Sequence, residues 1–382
     1  MKLYDDSKTT EFTAAVTFCG CDEVGIYVLL DRTFFFPEGG GQCSDHGTIG
    51  DVDCMMIKEI YHECRHYIAA QIAPGTVCNC KIDMKTRRRN MEHHSGEHII
   101  SGIIHKKFGY SNIGFHLGTS DVTCDFDGEF SGDDVRAIEE EANRVVRENT
   151  KVNVFYLSDS ELGALDYRSK SEISGDVRLV EISGYDLCAC CAPHVLTTGE
   201  IGLIKIVDHE KWKGGTRLHL KCGADAFADY SRKHEQNKEI SSLICVPSDK
   251  TAEGVKKALA SSEEKDRVIY ELSLRIAELR ISEIAQSEHS IVIFEDMLTQ
   301  DSMRRIVNEC APRTNEICIV LSKCQNGYTF MMKSIKVPLR EFVSNAKERI
   351  SIKGGGSNNF AMGQIFESRA TIEEYFANWR KE

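Results

Sequence analysis

Residues 87–108 read RRRNMEHHSGEHIISGIIHKKF, and the rest of the chain is understood from this stretch outward. Ile99, Ile100, Ile103, Ile104 and Phe108 recur at helical spacing, which predicts a helix with an apolar face. His94 and His98 stand four residues apart, so a helix projects both imidazoles from one side, a turn above each other. Two imidazoles placed in that way can hold one zinc ion at about 2.0–2.1 Å per nitrogen. The chain has thirteen His, and chance supplies roughly half such a pair per sequence of this composition. The pair therefore takes its meaning from ligands elsewhere.

Toward the N-terminus, residues 1–85 divide into short apolar or alternating segments: EFTAAVTFCG, GIYVLLDRTFFF, GTIGDVDCMMIKEIY, RHYIAAQIA and TVCNCKIDM. Gly, Asp and Pro separate them, which predicts a small antiparallel barrel or sandwich. Within it lie Gly39, Gly40 and Gly41, followed by Gln42. Such a run either lets backbone N–H groups approach a ligand or simply turns the chain tightly between strands. No Lys-Ser/Thr opens a helix after it, so a nucleotide P-loop is not supported.

Toward the C-terminus, YSNIGFHLGTSDVTCDFDGEF suggests a loop and a strand, and residues 131–149 a charged helix capped by Ser131. VNVFYLS, DVRLVEISGYD and LIKIV suggest further strands. Between the last two lies Cys188-Ala-Cys190-Cys191-Ala-Pro-His194, where Cys190 and His194 bring a thiolate and an imidazole into one loop. Zinc accepts sulfur at about 2.3 Å beside nitrogen, so His94, His98, Cys190 and His194 compose a His3Cys set. Cys188 and Cys191 stay open as rivals, because their C-x2-C spacing also suits a metal knuckle or a redox pair. From about 223 the composition turns rich in Ala, Glu, Lys, Leu and Arg, which predicts a long helical hairpin to 286. The tail then suggests β-α-β-β-α, a glycine run at Gly354–Gly356 and a final helix from Thr371 to the last residue.

A length of 382 residues suits two or three domains, with 41% hydrophobic and 28% charged residues, as in ordinary globular proteins. No apolar run reaches membrane-spanning length and MKLYDDSKTTEF lacks a signal-peptide core, so a cytoplasmic protein with reduced thiols and no membrane partner is expected. The net charge of −12 argues against a general nucleic-acid coat, but not against one RNA bound at a basic face such as Lys85-Thr86-Arg87-Arg88-Arg89.

Three motifs occur in order: TFFFPEGGGQCSDHG, HHSGEH and CCAPHVLTTGEIG. Together they resemble the alanyl-tRNA editing family, which comprises freestanding AlaX-type deacylases and the editing domain of alanyl-tRNA synthetase. The family pattern is similar to T-x-F-Y-P-x-GGGQ-x-x-D-x-G, H-[ST]-x-x-H and C-x-x-x-H-V-x-x-T-x-E-I-G. The resemblance covers about residues 1–222. The remainder, through GGGSNNFAMGQ, resembles the DHH-associated domain that follows such editing domains. Phe36 departs from the usual Tyr, Cys191-Ala-Pro from the frequent Gly-Gly-Thr, and Glu97 stands where many relatives carry other residues.

The resemblance implies an α+β protein. Its parts are a β-barrel with a Gly-rich loop over 1–85, a zinc-containing editing domain over 86–222, a helical hairpin over 223–286 and a C-terminal α/β domain over 287–382. It implies hydrolysis, without ATP, of tRNA(Ala) mischarged with Ser or Gly, by a protein that holds Zn2+. The hairpin, with too little apolar surface for its own core, is expected to pair with another chain in a homodimer or to brace the tail domain. Thr33, Gln42 and Glu97 are then the catalytic candidates, and Gly39, Gly40, Gly41, Arg88 and Gly355 the substrate-binding ones. Thr33 is expected to aim its hydroxyl into the amino-acid pocket from a strand. Two rivals are a catalytically inactive zinc-stabilised tRNA-binding or oligomerisation module, and a metallopeptidase using His94-Ser-Gly-Glu97-His98 as H-x-x-E-H. The peptidase needs a third, carboxylate ligand, for which Glu139–Glu141 are the candidates.

Overall fold

The structure is a computed structural model that describes residues 2–118, 122–163, 165–169 and 176–379. Its contacts divide the chain into two units, Met1–Gln236 and Asn237–Glu382.

The first unit begins with strands β1 (Glu11–Cys21), β2 (Ile26–Leu30), β3 (Gly47–Ile49), β4 (Val52–Ile60), β5 (Glu63–Ile68) and β6 (Val77–Ile82). They close into a barrel in the order β1-β2-β5-β4-β3-β6, as the alternating segments predict. Phe12, Ala14 and Val16 of β1 face Cys78, Cys80 and Ile82 of β6 in its interior, with Phe35, Ile49 and Ile57. The segment 47–61, read as one strand, is two: Gly50 adopts φ 60° and folds β3 back onto β4.

Helix α1 (Met84–Phe108) starts where the Asp83 side chain accepts from Lys85 N and stops at Gly109, at φ 71°. The isoleucine face is buried as expected, and so is the opposite side: His93, His94, Ser95, Glu97, His98 and Ser101 are all buried. Gly102 allows this close embrace, because a Cβ there would stand 2.4 Å from Tyr185 O. Around α1 lie β7 (Asn112–Leu117), β8 (Val122–Phe126), α2 (Gly132–Glu148), β9 (Val152–Leu157), α3 (Asp159–Leu162), β10 (Val177–Ile182), β11 (Asp186–Ala189), β12 (Ile204–Trp212) and β13 (Gly215–Cys222). One sheet runs β11-β10-β9 and another β12-β13-β8-β7. The expected loop-and-strand segment after α1 crosses residues 119–121, which lie outside the described ones. Strand β13, which the sequence reading passed over, pairs with β12 across a Lys213-Gly214 turn.

The basic run 85–89 is solvated only in part. Arg87 is fully buried, its guanidinium donating to both carboxylate oxygens of the equally buried Asp45 and to Phe34 O. Arg89 pairs with Asp225, and Arg88 with Glu92 one turn on. Arg87 is thus a strut between α1 and the barrel, since a buried guanidinium demands a fixed anion. Of the expected basic face, Lys85 and Arg88 stay exposed.

The predicted helical segment 223–286 is two helices, α4 (Gly223–Leu243) and α5 (Thr251–Glu283), separated around Pro247. In the second unit, β14 (Ile291–Phe294), α6 (Gln300–Cys310), β15 (Cys318–Cys324), β16 (Gly327–Lys333), α7 (Leu339–Ala346), β17 (Ile352–Gly356), β18 (Phe360–Ile365) and α8 (Arg369–Asn378) follow. Their sheet runs β14-β15-β16-β18-β17, with β14 and β15 parallel and the rest antiparallel. Ala277 of α5 joins the core under β14 and α6. The glycine run forms edge strand β17, where Gly355 is exposed and pairs with Met362. The last residues of the expected final helix, 380–382, lie outside the described ones. No helix among the described residues is long and apolar enough to cross a membrane.

Candidate metal centre

Two elements far apart in sequence meet at the middle of α1. His94 and His98 project from the helix, and the loop after β11 returns Cys190 and His194 to them. One ligand atom from each lies within 4.8 Å of all the others. Cys190 Sγ is 3.5 Å from His94 Nε2 and 3.4 Å from His194 Nε2. Tetrahedral zinc with ordinary bond lengths separates a nitrogen from a sulfur by about 3.5 Å, so the donors fit that ion.

The outer partners decide which nitrogens face inward. His94 Nδ1 bonds to Gln42 Oε1 at 2.8 Å, His98 Nδ1 to Asp186 Oδ2 at 2.9 Å, and His194 Nδ1 to Ser95 Oγ at 3.1 Å. With every Nδ1 tied off, each Nε2 is left for a metal, the arrangement in which a second hydrogen bond fixes the imidazole tautomer. Arg168 holds Asp186 in turn, with bonds of 2.6 and 2.8 Å. Burial opposes ionisation of Asp186, but the hydrogen bonds from His98 and Arg168 outweigh it and lower its pKa to about 2. Burial opposes ionisation of Cys190, but His94 and His194 outweigh it and hold the thiol well below the ordinary range. Burial pushes His194 down to about 3, which keeps its imidazole neutral. A thiolate and a neutral imidazole are the forms that bind zinc.

The expected four ligands come together. Of the rival thiols, Cys188 groups with His98 and Asp186, and Cys191 stands outside both candidate metal groups. None of the peptidase candidates joins the cluster: Glu139 meets Lys205 and Ile206 N, Glu141 meets Lys107 and Arg144, and Glu140 is exposed. Gln42 is buried beside His94, and its Nε2 has no partner. Glu97 Oε1 accepts from Ser101 Oγ at 2.6 Å and Asn112 Nδ2 at 2.5 Å, while its Oε2 lies 3.8 Å from His98 Nε2.

A cavity of about 420 Å3 opens onto the cluster, lined by His94, His98, Cys190, Glu97, Gly40 and the N-terminal Lys2 and Tyr4, among others. Gly39 and Gly41 flank its wall: Gly39 N donates to Gln42 O, and Gly41 O accepts from Leu117 N. A Cβ on Gly41, at φ 83°, would strike Phe115 O at 2.4 Å, so the loop requires glycine there. Thr33 is placed differently from the expectation. It lies after β2 has ended, so strand alternation does not aim it, and its Oγ1 sits 2.8 Å from His66 Nε2. Thr33 is absent from the cavity lining, and Arg88 is too. Gly355 belongs to the other unit.

Sequence reasoning missed Asp186, Ser95, Asp45 and Tyr4. Asp45 stands in the GGGQ-x-x-D motif, and it accepts from Phe36 N at 2.5 Å as well as from Arg87, so it ties the glycine loop to α1. That motif was its signal, as the second position of H-[ST]-x-x-H was for Ser95; Asp186 and Tyr4 have none.

Residues 177–219, which carry Cys190 and His194, match the family described as the threonyl and alanyl tRNA synthetase second additional domain. The chain is 30% identical to the mouse (Mus musculus) alanyl-tRNA editing protein Aarsd1 over 270 residues, 66% of either protein. This chain is similar to alanyl-tRNA editing proteins. The bovine (Bos taurus) counterpart is 31% identical over 68% of this chain and 62% of its own length. The alignments thus span less than two thirds of these relatives. The alanine–tRNA ligase of Methanopyrus kandleri is 27% identical over 95% of this chain but 42% of the ligase. A solved C-Ala domain of Aquifex aeolicus alanyl-tRNA synthetase aligns to 25% of the chain at 13% identity and a TM-score of 0.21, too low to assign a fold.

Proposed function

We propose that this chain is a trans-editing hydrolase that deacylates Ser-tRNA(Ala), with Gly-tRNA(Ala) as a second substrate, at a zinc centre of His94, His98, Cys190 and His194. The observation that carries this reading is the convergence of three Nε2 atoms and one thiolate in a cavity, each imidazole held by an outer partner. Its similarity to alanyl-tRNA editing proteins supplies the substrate class. Zinc, when bound, supplies positive charge for an ester or terminal ribose oxygen.

The chain's own groups do the rest. An aminoacyl ester is already activated, so positioning and a proton acceptor suffice for hydrolysis. Glu97 is that acceptor: Ser101 and Asn112 fix one oxygen, and the other faces the cluster. Gln42 orients His94, and Gly40 keeps the cavity wall free of a side chain. The structural reasons for Gly39 and Gly41 make them supports of that wall. Exposed Leu259, Ile269 and Leu272 on α5 support a homodimer, and sixteen free thiols support a reducing, cytoplasmic setting.

The test is deacylation of Ser-, Gly- and Ala-tRNA(Ala) by purified protein, with metal analysis of wild type, His98→Ala and Cys190→Ala. Serine release, with zinc lost from both variants, is expected. No release, or zinc retained by both variants, refutes the reading.

A further inference from the structure

Most polar groups on the cavity wall are already engaged. The Tyr156 hydroxyl donates to Asp5 Oδ2 at 2.6 Å. Arg178 donates to Asp5 Oδ1 at 2.7 Å and to the Cys190 carbonyl at 2.6 Å. Lys2 Nζ stands 3.8 Å from Glu59. Tyr4 differs. Its side chain is buried to 6% exposure and lines the cavity, yet no described residue hydrogen-bonds its hydroxyl. The hydroxyl is not among the sealed, unpartnered polar atoms, so it opens onto the cavity, where it is free to meet a ligand.

The phenol is firmly placed. Residues Leu3–Asp5 form a single helical turn whose Asp5 is clamped by Tyr156 and Arg178, and Arg178 in turn holds the Cys190 backbone. The Tyr4 ring packs edge-on against Phe36, with centroids 5.3 Å apart, and both rings cluster with Ala192 beside Cys190. Phe36 aims its Cζ at the glycine loop, 3.8 Å from where a Cβ on Gly39 would stand. Phe36 is also the position where the motif resembles a Tyr. The wall thus carries two phenols, and while Tyr156 spends its hydroxyl on Asp5, that of Tyr4 is engaged by no described residue.

We propose that the Tyr4 hydroxyl is a specificity-determining group that hydrogen-bonds the aminoacyl-adenosine end of the substrate. This deepens the editing reading and rests on it. The substrate class is a 3′-aminoacyl nucleoside with a small polar amino acid, whose ester carbonyl and hydroxyls accept from a phenol. Burial raises the Tyr4 pKa above its ordinary value, with neighbouring Cys191 adding to it, so the group remains a donor at neutral pH.

The experiment compares wild type and Tyr4→Phe, each checked for zinc content and thermal midpoint. One measurement is the KM and kcat for Ser-tRNA(Ala). The other is calorimetric binding of the non-hydrolysable 3′-seryl-amide of 3′-amino-3′-deoxyadenosine. Tyr4→Phe keeps the ring packing, so zinc and midpoint should hold while analogue affinity falls about three- to tenfold and KM rises in step. A loss of analogue affinity with zinc and midpoint unchanged is what a merely structural role for Tyr4 does not predict. Equal analogue binding by wild type and Tyr4→Phe overturns the assignment while leaving the editing reading intact. Wild type that neither binds the analogue nor releases serine refutes both.

Discussion

The Asp45–Arg87 strut makes the sharpest demand on this structure. Replacing Asp45 with Ala removes the acceptor of two Arg87 donors and of Phe36 N, all at fully buried positions. The guanidinium keeps its bond to Phe34 O, and its Nη1 has no partner even in the intact protein. An uncompensated buried charge costs about 3–5 kcal/mol, and the orphaned Phe36 amide places this variant at the upper end. Against a typical domain stability of about 5–15 kcal/mol, that is a large share. Urea unfolding followed by far-ultraviolet circular dichroism, reading the transition of the first unit, measures it. Asp45→Leu combined with Arg87→Met removes both charges and should lose less than Asp45→Ala alone, because neither partner is stranded. Weakened activity should accompany Asp45→Ala, since the same carboxylate secures the loop that carries Gln42. A loss below about 1 kcal/mol for Asp45→Ala, or a double variant that loses the sum of both singles, would show that the strut is not a buried ion pair.

Asp186→Asn weakens the hold on His98, so zinc affinity, measured by competition with a chelating dye, should fall about 10- to 100-fold; a change under twofold refutes the orienting role. Glu97→Gln should lower kcat about 10²- to 10⁴-fold with zinc content unchanged, and unimpaired turnover excludes Glu97 as the proton acceptor. Burial lowers His66 to about 4, below the unfolded value near 6.5, so its contribution is complete above pH 6.5 and is lost as pH falls through 4. That amounts to about 3 kcal/mol, and the stability difference between wild type and His66→Gln should narrow by about this much between pH 7 and 4; a constant difference refutes the depressed pKa. Thr33→Val strands His66 Nε2 and should cost about 1–3 kcal/mol of stability by urea unfolding, with the Ser-to-Ala preference unchanged; an altered preference would return Thr33 to the substrate pocket.

What the sequence determined by itself was local or carried by a motif. The isoleucine spacing and the Asp83 and Gly109 ends specify α1, because side-chain direction repeats every 3.6 residues and the caps satisfy their own turn. From that helix the shared face of His94 and His98 follows directly. The alternation in β1 and β6 likewise encodes a wall with one buried side. Tertiary structure decided the remaining features, because they depend on residues separated by tens of positions that leave no periodic trace. Arg87 looks like a solvent-facing cation until Asp45, 42 residues earlier, buries it. Thr33 looks like a pocket residue until His66 claims its hydroxyl. Asp186, 88 residues from His98, and Ser95, 99 from His194, choose which ring nitrogen faces the metal. Tyr4 meets Phe36 and the cavity through an Asp5–Arg178 clamp that spans 173 residues. Hydrogen-bond demand drives each case: a polar group taken out of water must find a partner, and the fold alone determines which partner is within reach.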